Sequence, residues 1–357
     1  MRENERMPTI QRLPALRDLP LPLVQAPMAG YQGATLALAV GEAGGLGSIP
    51  AATLTPEALA AELAPLAAAG RPYNVNFFCH VPPVPEPAQE AAWREALAPY
   101  YAEAGIDPAA IAPGAGRRPF DAAMADVLER FRPPVVSFHF GLPPPELLAR
   151  VKAWGATVWS SATTVDEARW LVRHGADAVI AQGLEAGGHR GHFLDPDLTR
   201  QLGTLALVPQ LVAAVPVPVI AAGGIADAAG VAAAMALGAA AVQVGTAFLL
   251  CPECTTSAVH RAALQSDTAR HTALTRLFTG RPARGIVNRV MRELGPMNPA
   301  APAFPLATAA IAPLRAWAEG QGRGDFTPLW AGQQASACRA VPASDVVKAL
   351  AAGFSRA

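Results

Sequence analysis

The stretch "PVIAAGGIADAAGVAAAMALGAAAVQVGTAF", residues 218–248, reads as strand, glycine turn, helix, strand and glycine turn. Its two apolar runs, "PVIAA" and "AVQV", barely alternate, as expected of strands covered on both faces of a parallel sheet. Between them Asp227 stands where a helix needs an N-cap, and Gly238 where it needs to end. Gly223 and Gly224 follow the first strand and Gly245 the second, so both flexible turns lie at the same, carboxyl, ends of neighbouring strands.

The same unit repeats outward from this stretch. Short apolar runs bounded by Gly or Pro occur at "LVQAPM", "GLGSIP", "YNVNFF", "VVSFHFG", "TVWSSAT", "AVIAQG", "PVIAAGG" and "AVQVGTAF". Helix-like segments such as "TPEALAAELAPLAAAG" and "TTVDEARWLVRHG" separate them. In the latter, Thr164 reads as an N-cap with Glu167 three residues on, and Gly175 closes the helix. Eight βα units predict a TIM (β/α)8 barrel. A doubly wound open sheet also alternates strand and helix, but "LVQAPMAGYQG" lacks the GxGxxG that such a dinucleotide fold carries after its first strand. The expected organisation is a barrel over residues 1–251, with an insertion after strand three at about 80–118, and a C-terminal helical extension, 252–357, that completes the active site. Trp93, Tyr100 and Tyr101 of the insertion read as packing residues, with a substrate lid as the alternative.

Composition narrows the chemistry. The 357 residues fit one such barrel of roughly 250 residues with additions. The 28 basic and 28 acidic residues cancel, so no overall field draws the chain to nucleic acid or to an anionic membrane. Leu205–Leu250 is apolar but is broken by Pro209, Pro216, Pro218 and Gly223-Gly224, and is not read as a membrane span. The N-terminus mixes charges and shows no signal-peptide core, so a cytoplasmic protein is expected. Its four cysteines suggest no disulfide framework, and "CPEC" at 251–254 has no second pair at zinc spacing. Only Lys152 and Lys348 exist, neither closing a strand-like run, and no GxxxxGK[ST] occurs. Schiff-base and P-loop chemistry therefore lack their central residue.

In a barrel, ligands sit at the carboxyl ends of the strands. Those ends are Ala26-Pro27-Met28, Ser48, Asn76, His139, Ser161, Gln182, Gly223-Gly224 and Gly245-Thr246. Amide and backbone donors without a carboxylate pair suit a planar, hydrogen-bonding cofactor better than a metal or a glycosidic bond, and no metal site is expected. The turns after strands seven and eight are the usual phosphate site of such barrels, although glycines there also serve simply to make tight turns. "GLEAGGHRGH", residues 183–192, adds four glycines, two histidines and an arginine in one loop. His189 is the side chain there able to exchange protons near neutral pH, against a plain reading in which it caps a turn. His139 reads either as a second cavity histidine or as a core histidine bonded to a carbonyl. Arg190 and His192 are read as solvated, His80, His174, His260 and His271 as surface or packing residues, and Glu185 as either loop-orienting or exposed.

Taken in order, "APMAG", "NVNFF", "HFGLP", "SSATTVDEA", "AQGLEAGGHRG", "AAGGIAD", "VQVGTAF" and "PLWAGQ" resemble the class I nitronate monooxygenases, formerly 2-nitropropane dioxygenases, from about residue 20 to 335. The resemblance implies an FMN-binding TIM barrel that oxidises alkyl nitronates with O2 to a carbonyl compound and nitrite. It implies His189 as catalytic base; His139, read from its place at the end of strand four as a second cavity histidine, would then bind the nitro oxygens. It also implies Ala26, Pro27 and Met28 along the isoalloxazine, and Asn76 and Gln182 bonded to its ring or ribityl chain. Gly187 would admit the cofactor, and Gly223, Gly224, Gln243, Gly245 and Thr246 would hold its phosphate end. Trp330, Gly332 and Gln333 would close the site. An NAD(P)H-dependent quinone or enoyl-thioester reductase is the alternative on the same barrel.

Overall fold

The computed structural model describes residues 13–112 and 117–356. Eight parallel strands form the barrel: β1 (Leu23–Gln25), β2 (Gly47–Pro50), β3 (Tyr73–Phe78), β4 (Val135–His139), β5 (Thr157–Ala162), β6 (Ala178–Gln182), β8 (Val219–Ala222) and β9 (Ala241–Val244). Their hydrogen-bonded order is β1-β9-β8-β6-β5-β4-β3-β2, and a parallel bridge between Val24 and Leu46 closes the ring. These are the eight runs read from the sequence. "AVQVGTAF" stops being strand at Val244, because Thr246–Phe248 turns into a 3-10 helix.

Local capping follows the sequence closely. The Asp227 carboxylate accepts from the Gly230 N–H at 2.8 Å, and Thr164 Oγ1 from the Glu167 N–H at 3.3 Å. Glu167 departs from the capping-box pattern. It is buried, and its carboxylate reaches past the helix to accept from Thr163 N and Oγ1 and, on its other oxygen, from Phe193 N at 2.6 Å. A helix cap thereby fastens the segment that follows His189.

Two corrections concern the organisation. The helix Ala343–Ala351 buries Ala343, Val346, Val347 and Leu350 in the same core as Leu36, Val40, Val231 and Ala234, between helices Ala34–Glu42 and Ala228–Ala236. It occupies the place of the barrel's last helix, so a boundary at residue 251 cuts the barrel. The 252–357 segment is also not purely helical: β10 (Thr272–Thr275) and β11 (Ala283–Ile286) pair antiparallel, and β7 (Gly188–His189) joins the far edge of β11. His189, read as a loop residue, is thus a strand residue whose partner is Ala283.

The insertion between β3 and helix Ala122–Phe131 packs onto the extension. From helix Pro87–Ala104, Trp93 Nε1 donates to Ala307 O at 3.1 Å and the Tyr101 hydroxyl to Ala310 O at 2.6 Å. Trp93, Tyr100 and Tyr101 are buried there with Phe278, Ile311 and Phe326, which makes them packing residues. Residues 1–12 of the expected barrel and 113–116 of the expected insertion lie outside the described residues.

Candidate active site

The carboxyl strand ends surround one open cleft with about 1300 Å³ of empty space, mouth included. Ala26, Pro27 and Met28 line it from β1, Asn76 from β3, His139 from β4, Gln182 from β6, Gly223 and Gly224 from β8, and Gln243, Gly245 and Thr246 from β9. Gly187 and His189 come from the 183–192 segment, and Trp330 and Gly332 from the extension.

The glycines have local causes. Gly223 and Gly224 have φ of +119° and +71°, a region unfavourable to other residues, and a Cβ at Gly223 would lie 2.9 Å from Thr204 Oγ1. At Gly187 a Cβ would stand 2.6 Å from the backbone of Ala331 and Gly332. That glycine lets the extension cross over the 183–192 segment, a different reason from admitting a cofactor. The crossing is fastened on both sides, since Gly332 N donates to Thr246 Oγ1 at 3.0 Å and Gln333 N to Glu185 O at 2.9 Å. Glu185 in turn accepts from Thr204 N and Oγ1, which makes it loop-orienting.

A flavin-sized, phosphate-bearing group fits the donor set. The Gly224, Gly245 and Thr246 N–H groups have no protein acceptor among the described residues. Gln243 Oε1 is buried beside them without a partner. Unpaired polar groups of this kind are costly unless a ligand completes them.

His189 stands in an aromatic collar: its ring centroid is 5.3 Å from Phe304, 5.6 Å from Trp330, 6.0 Å from Phe78 and 6.1 Å from Phe140. Its Nε2 pairs with Thr279 Oγ1 at 2.9 Å, while Nδ1 has no partner among the described residues. Burial, and then the positive Arg117 guanidinium, push its pKa well below the ordinary histidine value. The ring is neutral at pH 7.

The family model for nitronate monooxygenase matches residues 11–353. The chain belongs to the nitronate monooxygenase family. It is 43% identical over 348 residues to the nitronate monooxygenase of Pseudomonas aeruginosa, covering 95% of this chain and 97% of that one. Nitroalkane oxidase from Streptomyces ansochromogenes superposes with a TM-score of 0.86 at 42% identity, covering 96% of this chain and 98% of that one. FabK from Thermotoga maritima is a more distant likeness, with a TM-score of 0.69 at 29% identity over 95% and 94% of the two chains. As a nitronate monooxygenase family member the chain is an oxidoreductase on a TIM barrel.

Within this family member several readings change. His139 Nε2 meets the His189 carbonyl at 3.1 Å and must donate to it, so Nδ1 accepts from Ser161 Oγ at 2.9 Å. Burial holds its pKa down at about 3. With both nitrogens committed, His139 positions the His189 backbone and has no free donor for nitro oxygens. Gln182 does the same from β6, its amide donating to His189 O at 2.9 Å and accepting from Gly191 N at 2.8 Å; one N–H and one lone pair remain for the cleft. Asn76 Nδ2 donates to Ser137 Oγ at 2.9 Å and to Ser137 O at 3.2 Å, so only its amide oxygen remains for the cleft.

Arg190 is fully buried and donates to Gln182 O, Gly183 O and Gln201 Oε1 at 2.6–2.7 Å, and His192 is also buried. Neither is solvated, because the segment folds back under the β10–β11 hairpin. His80 and His260 are buried packing residues; His80 Nε2 donates to Arg117 O at 2.9 Å. Gln333 is exposed and does not line the cleft, its backbone N–H donating to Glu185 O, whereas the next residue, Gln334, does line it. Thr279 and Arg117 escaped sequence reading, since no local pattern marks them.

The thiols of Cys251, Cys254 and Cys338 are each pushed up to about 12 by burial and are unreactive at neutral pH. Among the described residues no cluster of His, Cys, Asp or Glu could hold a metal, and no helix is long and apolar enough to cross a membrane.

Proposed function

We propose that this protein binds FMN in the strand-end cleft and oxidises alkyl nitronates with O2 to a carbonyl compound and nitrite. The observation that carries the reading is the neutral His189 imidazole on the wall of that cleft, held in one place by β11, Thr279 and the amide of Gln182. FMN, when bound, supplies the redox chemistry. The free N–H groups of Gly224, Gly245 and Thr246 suit its phosphate, and Gln243 a polar group beside it. Ala26, Pro27 and Met28 are the side chains proposed along its ring.

The chain's own groups handle protons and water. If the Thr279 hydroxyl sends its proton to Arg281 O, 3.4 Å away, His189 Nε2 carries a hydrogen and Nδ1 presents the lone pair. A lone pair at Nδ1 takes the α-proton from a neutral nitroalkane, while a nitronate needs no such step. The aromatic collar keeps water from the reacting carbon. The substrates are thus proposed to be a small nitronate and O2, with no role for nucleic acid or membrane, in a cytoplasmic enzyme.

The test is direct. The purified protein is expected to be yellow, to release FMN on denaturation, and to form nitrite from ethylnitronate only when O2 is present. Recovery of FAD, or anaerobic bleaching by NADH without any nitrite production, would replace this reading with the reductase one.

A further inference from the structure

The cleft lining contains no Asp, Glu or Lys among the described residues, and one permanent cation, Arg117. Its guanidinium has no carboxylate partner and no side-chain hydrogen bond among the described residues, and residues 113–116, Pro-Gly-Ala-Gly, bring no acid. The backbone around it is pinned: His80 Nε2 donates to Arg117 O at 2.9 Å, and Phe120 N to Phe78 O at 2.8 Å. The guanidinium carbon lies 5.9 Å from the centroid of Phe304, which is itself 5.3 Å from the His189 ring. Burial, the largest influence, lowers the Arg117 pKa, which marks a charge partly stripped of water.

A cation beside the Phe304 ring with no acidic partner among the described residues is costly unless an anion completes it. A guanidinium fork matches a planar anion with two oxygens on one atom, the geometry of a nitronate, and the aromatic collar beside it leaves an apolar surface for the substrate's alkyl tail. Resting on the reading above, we propose that Arg117, delivered by the insertion, is the anchor for the two nitronate oxygens and selects planar organic oxyanions with apolar tails over neutral nitroalkanes. It binds the substrate while His139 and Gln182 position the base.

The experiment compares wild type with Arg117→Gln and Arg117→Lys in the flavin-loaded protein at constant ionic strength. Nitrate, a planar and unreactive oxyanion, is titrated against tryptophan fluorescence and by calorimetry, and KM and kcat are measured for ethylnitronate. Arg117→Gln is expected to weaken nitrate and raise the nitronate KM by about tenfold or more, with kcat changing far less and flavin content unchanged, and Arg117→Lys to fall between. Wild-type nitrate affinity and KM in Arg117→Gln would overturn the proposal, as would loss of bound flavin, which would assign the guanidinium to the cofactor. Arg117-dependent nitrate binding in a protein that turns over no nitronate would support the anion site and reject the catalytic reading instead.

Discussion

Trp330 and His189 lie on the same edge of β11, paired with Gly285 and Ala283 respectively, and their ring centroids are 5.6 Å apart. One strand of the extension therefore sets the distance between the candidate base and the aromatic wall that faces it.

Gly285 is the hinge of that relationship. A Cβ there would lie 2.8 Å from Leu329 O and 3.1 Å from Trp330 Cε3, closer than packed atoms tolerate. Gly285→Ala is expected to cost about 1–3 kcal/mol and to displace the indole. A lower melting temperature together with a shifted tryptophan emission and reduced kcat/KM checks this; wild-type emission and activity would show that Trp330 is not held by β11.

Replacing the base separates two substrates. His189→Asn should lose turnover of neutral nitroethane by about 10²–10⁴-fold, while keeping much more activity on pre-formed ethylnitronate. Steady-state kinetics on both substrates decide it. Equal losses would assign His189 to binding or architecture alone.

The buried histidines set the pH response. His189 is held well below the usual histidine range by burial and by Arg117, so kcat/KM on neutral nitroethane is expected to stay level from pH 8 down through pH 6. Burial holds His139 and His192 near 3 and His260 near 4. Each takes up its proton in the unfolded chain near pH 6.5 but resists it when folded, so stability is complete above pH 6.5 and is lost as pH falls toward 3. At pH 5.5 the loss is on the order of 1 kcal/mol per histidine. Melting temperatures measured from pH 7.5 to 5 should fall steadily below 6.5; a flat profile would mean these rings are not buried neutral.

Arg190 is a structural pin for the base. Its removal strands the carbonyls of Gln182 and Gly183 and the Gln201 amide oxygen, all at hydrogen-bond distance from the guanidinium. Arg190→Met is expected to destabilise the fold by about 3–5 kcal/mol, with Arg190→Lys recovering only part, because an ammonium cannot meet the same spread of acceptors. Chemical denaturation reads this out, and a loss below 1 kcal/mol would contradict the observed network.

The strand and helix order, the caps at Thr164 and Asp227, and the residues at the strand ends were legible in the sequence. They depend on local chemistry: apolar runs, glycine at positive φ, and side-chain oxygens at helix starts, each spanning only a few residues. Because every barrel strand runs the same way, knowing where each ends was enough to bring Ala26, Asn76, Gln182, Gly224 and Gly245 to one cleft.

What each of those side chains does there was decided only by tertiary structure. His139 gave its free nitrogen to a backbone carbonyl 50 residues away, and Thr279 reached His189 across 90. Arg190 looked solvated in a glycine-rich loop and became buried once a hairpin from residues 272–286 covered it. Helix Ala343–Ala351 reads from sequence as part of an appended segment, but it fills the gap between helices Ala34–Glu42 and Ala228–Ala236. These pairings satisfy buried polar groups or fill space left by elements distant in the chain. No local period encodes them, because the groups that meet share no register until the barrel has closed.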